Sequence, residues 1–90
     1  MRIVWRARAR ADMVALVTHI SRDSPSGAFR VHDQIEHTVG FLTDWPDMGR
    51  KGRQLDLREL VVPRTPYLVL YRRTERDVIV LRVLHTSRNR

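Results

Sequence analysis

Apolar residues recur along this chain with two periods, and the change from one to the other divides it into halves. Ala9, Met13, Leu16, Val17 and Ile20 are spaced so that they form one apolar stripe on a helix over roughly 7–22. Arg8, Arg10, Asp12 and Thr18 fall on its other face and suit solvent. Ser21-Arg22-Asp23 ends that helix, and Ser24-Pro25 opens another. Ser24 can cap the free amides, and Pro25 fits the first helical position, where its missing N–H costs nothing. Ala28, Val31, Ile35, Val39 and Leu42 carry a second stripe over roughly 25–43. Two amphipathic helices joined by so short a link predict an antiparallel hairpin.

Outside the helices the pattern is that of strands. Ile3, Val4 and Trp5 are β-branched and aromatic and predict a short first strand. Asp44 to Arg53 holds one proline and two glycines and predicts a loop. Beyond it, Leu55 to Val62 nearly alternates apolar with polar, while Tyr67 to Tyr71 and Val78 to Leu84 have the composition of buried strands. Arg72 to Asp77 is a charged turn that makes the last two a hairpin, and Pro63 and Pro66 bracket the connection before them. The resulting string, β-α-α-β-β-β, predicts an α+β fold: a helical hairpin packed on one face of a mainly antiparallel sheet, whose other face stays partly open.

Composition narrows this picture. Ninety residues allow one domain, 1–90, with no repeat and no linker. Hydrophobic content of 42% suffices for one core and argues against disorder. The chain has no cysteine, which excludes a disulfide framework, a thiolate zinc site and a thiol nucleophile. Apolar runs such as Val78 to Leu81 are far too short to span a bilayer. Met1-Arg2-Ile3-Val4-Trp5 leads straight into Arg-rich sequence without the apolar core of a signal peptide. The expectation is a small soluble cytoplasmic domain that does not engage membranes. Its formal net charge of +7 points to a polyanionic or acidic partner. Lys51 is the single lysine among 17 basic residues. Arginine codons of a GC-rich genome and selection for bidentate anion contacts explain that bias equally well.

The chemistry offered by individual residues is sparse. His32 and His37 are five apart on the second helix and point in different directions; with His19 and His85 on other elements, no metal site is expected. His85 closes the last strand ahead of Thr86, Ser87 and Arg88, which suits either a general acid/base or a solvent-facing tail residue. Gly49-Arg50-Lys51-Gly52-Arg53 joins backbone freedom to three positive charges, yet lacks the strand-to-helix placement of a P-loop. Arg58, Arg64, Arg72 and Arg82 lie in or beside the predicted strands, where they could line the open sheet face as an anion-binding floor. Pairing with Asp56, Glu59 and Glu75 would neutralise part of it, but 10 acids cannot pair all 17 cations. No Ser/His/Asp order, paired carboxylates or dinucleotide fingerprint stands out, so a hydrolase or oxidoreductase of conventional type has little support, and no cofactor is expected.

In order along the chain, these features resemble the RelE/ParE superfamily of toxins from bacterial toxin–antitoxin pairs. The resemblance covers essentially all 90 residues. It runs through Ala9 and Ala11-Asp12 on the first helix, and Ser24-Pro25, Ala28, Ile35 and Leu42 on the second. Pro46, Gly49 and Arg50 follow as a Pro-x-x-Gly-Arg-like loop, then Arg58 to Val62 and Pro66 to Arg72. The most recognisable part is the ending, Ile79 to His85 with Arg88. Each motif is weak alone; their ordered co-occurrence is specific.

The resemblance implies one of two activities. RelE-like members are ribosome-dependent endoribonucleases that cut messenger RNA with basic residues, sometimes aided by a tyrosine or histidine; here that set would be Arg58, Tyr71 and His85. ParE-like members poison DNA gyrase with the same scaffold and have no assigned hydrolytic centre. Ribonuclease members commonly carry arginine directly after the residue matched by Tyr67, where this chain has Leu68. Leucine cannot stabilise charge on a scissile phosphate. The lysine-rich helix of the most basic ribonucleases is also missing, so the resemblance is closer to ParE. It implies a cognate antitoxin, acidic and encoded adjacently, that forms a hetero-oligomer with the toxin. Met13, Leu16, Val80 and Arg82 are the expected antitoxin contacts, and Arg58, Arg72, Arg82 and Arg88 the expected target or anion contacts. A non-toxic basic nucleic-acid-binding module is the remaining alternative, supported by charge alone.

Overall fold

A computed structural model describes residues 1–54 and 56–87. The chain runs β1 (Arg2–Trp5), α1 (Ala7–Ser21), α2 (Pro25–Gly40), a 3-10 turn (Phe41–Thr43), β2 (Arg50–Lys51), β3 (Leu57–Val61), β4 (Tyr67–Arg73) and β5 (Asp77–His85). The strands form one sheet in the order β1-β5-β4-β3-β2. β1 runs parallel to β5, and every other neighbouring pair is antiparallel.

The start of α2 has a local cause. The Ser24 hydroxyl accepts the Gly27 N–H at 3.0 Å, and Pro25 occupies the first helical position. The second stripe was expected to stay α-helical to residue 43, but the α-helix stops at Gly40 and its last apolar positions continue as the tighter turn. Leu42 is nonetheless fully buried and belongs to the core cluster. Ala9, Met13 and Leu16 from α1 and Ile35 and Val39 from α2 pack on Leu60, Val62, Val69, Val78 and Val80 of the sheet.

Two features of the sheet depart from the expected string. Arg50–Lys51, placed in a loop by their glycines, form a short edge strand opposite Arg58 and Glu59. A bulge between Leu70 and Tyr71 in the β4–β5 register changes which β5 residues face inward. Val78 and Val80 are buried, and continued alternation would put Arg82 beside them; the bulge brings Val83 inward instead.

Among the described residues no helix is long and apolar enough to cross a membrane.

Candidate functional site

Three places concentrate polar groups around the sheet. The first is a lock beneath the loop before β2. Tyr71 is fully buried, and its hydroxyl donates to the Pro46 carbonyl at 2.8 Å and accepts from the Gly49 N–H at 2.9 Å. Burial raises its pKa, which the Gly49 hydrogen bond and the nearby Arg58 partly oppose. Arg58 donates Nη1 to the Gly49 carbonyl at 2.8 Å and the Asp47 carbonyl at 3.2 Å. Arg73 holds the Asp47 carboxylate at 3.0 Å. Glycine is required at 49 because a Cβ there would lie 2.7 Å from the Tyr71 ring and 2.9 Å from the Glu59 carbonyl.

The second is the edge of β5. β1 covers β5 only from Asp77 to Val80, so the later residues would present unpaired backbone. Asp12 of α1 closes this gap by accepting the Val83 N–H at 2.9 Å. It also takes Arg82 Nε at 2.8 Å and Nη2 at 3.2 Å. The hydrogen bond to Asp12 raises the Arg82 pKa against the cost of desolvation. His85 lies further along, with Nδ1 2.7 Å from the Ser87 hydroxyl and its ring edge-on to Tyr67 at 5.4 Å.

The third is a groove of about 500 Å³ on the face of the sheet that the helices leave open. Leu57, Leu68, Leu70 and Leu84 line it together with Arg50, Lys51 and Arg53. Arg50 is paired with Glu59 at 3.0 Å, whereas Lys51 and Arg53 are exposed and hold no acid among the described residues.

These positions correct several expectations. Arg58 shares the inward face of β3 with Leu60 and Val62, so it braces the loop and does not lie on an open floor. Arg72 Nε lies 3.3 Å from Asp56 Oδ2 without donating a hydrogen bond, and Arg82 is held by Asp12. Arg58 and Arg82 are engaged within the chain, whereas Arg72 stays at the surface on the sheet face opposite Arg58, so the three do not come together as one anion floor. Arg88 lies outside the described residues. Val80 is fully buried in the core, while Met13 and Leu16 are largely buried and show only their edges at grooves beside α1. Sequence periodicity had already placed Met13 and Leu16 on the buried stripe; Val80 follows from the pleat.

The ribonuclease set does not converge either. Arg58 pairs with Tyr71 and His85 with Tyr67, on opposite sides of β4. At about 3.3 Å per residue and 4.8 Å per strand, their backbones are roughly 16 Å apart. Tyr71 gives its hydroxyl proton and one lone pair to the loop.

The sequence reading missed the loop lock, the Asp12 clasp and the leucine-floored groove. The clasp had one available signal, a lone carboxylate on the otherwise basic face of α1. The lock had the buried-strand tyrosine and the Pro-x-x-Gly spacing, which say nothing of each other until the strands are paired.

The described residues form a two-layer domain with a mixed sheet and a braced loop. The match to known proteins gives it a family. The model of the ParE toxin of type II toxin–antitoxin systems matches residues 3–90. The putative toxin Y4kP of Sinorhizobium fredii is 39% identical over 84 residues, covering 93% of this chain and 86% of that protein. Toxin RelE2 of Caulobacter vibrioides is 34% identical over 86 residues, covering 96% of each. A solved structure described as the chromosomal ParDE system from P. aeruginosa superposes with a TM-score of 0.84 at 24% identity, covering 94% of this chain and 95% of that one. The chain belongs to the ParE toxin family.

Proposed function

We propose that this toxin arrests growth by poisoning DNA gyrase and is neutralised by an acidic antitoxin encoded beside it. One observation carries the choice of target: Arg58 and Tyr71 are tied to the loop at one end of β4, His85 lies at its other end, and the three do not surround a common space. A phosphodiester-cleaving centre needs an acid/base and a charge stabiliser within reach of the same phosphate. The open sheet face is floored by leucines, and its cations, Arg50, Lys51 and Arg53, lie along one side of the groove. A toxin without chemistry of its own must act by holding a macromolecular target.

The antitoxin is expected over the same open face and along β5. Exposed Lys51 and Arg53 beside four leucines suit a chain that is acidic and amphipathic. Among the described residues no strand neighbours the outer edge of β5 beyond Val83, which suits pairing with an extended segment.

The test is a supercoiling assay with purified gyrase and toxin freshly separated from its antitoxin. Inhibition with accumulated DNA cleavage complexes is expected, and added antitoxin should restore activity. Unimpaired supercoiling, together with messages cut at the ribosomal A site, would transfer the chain to the ribonuclease reading.

A further inference from the structure

The outward side of α2 carries a feature that neither the core nor the antitoxin surface uses. Phe29, Asp33, His37, Phe41 and Trp45 recur every fourth residue and form one ridge along the helix and the turn that follows it. Phe29 is 70% exposed, Trp45 59% and Phe41 40%. The rings form a connected run, with His37 to Phe41 centroids at 4.9 Å and Phe41 to Trp45 at 6.3 Å. Met48 extends the apolar surface at its far end and is 49% exposed.

This surface is held rigidly. The lock described above braces the backbone at Pro46, Asp47 and Gly49 from beneath, next to Trp45 and on both sides of Met48. The N-terminal ammonium donates to the Thr43 carbonyl at 3.1 Å and pins the turn from the other side. Aromatic groups presented without ordering cost are what strong protein contacts are built around.

Beyond Arg30, which flanks Phe29 at its start, the ridge also differs from the rest of the chain in charge. Residues 33–48 contain Asp33, Glu36, Asp44 and Asp47 and no lysine or arginine, in a protein of net charge +7. Arg58 and Arg73 neutralise Asp47, and His32 sits between Asp33 and Glu36; Asp44 is exposed and has no partner among the described residues. An acidic antitoxin is drawn to the basic surface and gains nothing here. A nucleic acid is likewise disfavoured.

The geometry points to this aromatic, acidic ridge as the surface that grips the toxin's protein target, entering an apolar groove with a positively charged rim. The inference rests on the reading that the target is a protein. It fits an enzyme that handles DNA, because such an enzyme presents positive surface, which repels the rest of this chain and attracts this part.

The experiment compares the unmodified toxin with Trp45→Ala, with Phe41→Ser/Trp45→Ser and with Asp44→Lys, each induced in bacteria and each purified. Both aromatic variants should arrest growth at least tenfold less effectively at equal protein level. Asp44→Lys, which removes no apolar contact, should also weaken arrest. All three should keep antitoxin affinity and melting temperature within error. Full growth arrest by the double variant overturns the inference. So does parallel loss of antitoxin binding, or a toxin dimer that the double variant abolishes. Growth arrest does not depend on which protein is the target. If the unmodified toxin arrests growth yet leaves gyrase active, the gyrase reading fails while the ridge is still judged by its own variants.

Discussion

Tyr71→Phe isolates the loop lock, because it removes one oxygen and leaves the buried ring in place. The hydroxyl makes two hydrogen bonds, to the Pro46 carbonyl at 2.8 Å and from the Gly49 N–H at 2.9 Å. Phenylalanine leaves the Gly49 N–H buried without an acceptor, at a cost of about 1–3 kcal/mol. The Pro46 carbonyl is only partly buried and can turn to water, so it adds little. A loss of about 2 kcal/mol in a domain of this size lowers the melting temperature by roughly 10 °C. Arg58 still holds the carbonyls of Asp47 and Gly49, so the loop should loosen without unfolding the sheet. Hydrogen exchange at the Gly49 amide should therefore accelerate more than exchange at core amides of β4. Alkaline pH gives an independent signature. Burial raises the Tyr71 pKa above its ordinary value of 10.0, so the native state resists ionisation that the unfolded chain permits. The tyrosine's contribution is fully present below about pH 10 and declines as pH rises through the folded value. The gap in stability between the two proteins should thus narrow above pH 10. A melting temperature within 2 °C of the unmodified chain, with unchanged Gly49 exchange, would refute the lock.

Other consequences follow from the same contacts. Gly49→Ala places a Cβ 2.7 Å from the Tyr71 ring, so it should lower stability by about 1–3 kcal/mol in a thermal melt. Asp12→Ala strips Arg82 of its carboxylate and uncovers the Val83 N–H, and should cost about 2–3 kcal/mol. The bared edge should also promote self-association, visible by light scattering, and Asp12→Asn should retain part of the edge contact. Reversing Lys51 and Arg53 to glutamate should slow association with an acidic antitoxin and flatten its salt dependence, measured by stopped flow, while the melting temperature stays unchanged. His85→Ala should leave growth arrest intact, whereas the ribonuclease reading requires its loss.

The helices and the general architecture were legible because burial periodicity and capping chemistry are local. Ser24-Pro25 and the two apolar stripes state where α2 starts and which faces turn inward. The site was less legible because it depends on pairing across the sheet. Arg58 and Tyr71 are 13 positions apart and become cross-strand neighbours only through the β3–β4 register. Arg82 looked like surface charge for a target until the bulge at Leu70/Tyr71 set it beside the β5 edge, where Asp12 reaches it. Arg50–Lys51 read as loop because a two-residue strand has too little pattern to detect; β3 supplies the partner that makes it one. The exposed aromatics were hidden for the opposite reason. Phe41 and Trp45 lie at spacings that also suit a core, and only the packed fold reveals that they point outward.

Trapping gyrase on DNA inside cells tests the central claim most directly. After induction of the toxin alone, rapid denaturing lysis and recovery of protein-bound DNA should yield gyrase subunits covalently attached to DNA, with messenger RNA intact at ribosomal A sites. Co-expression of the antitoxin should abolish the covalent complexes. Growth arrest with no trapped gyrase and with A-site cuts in messages would contradict the account.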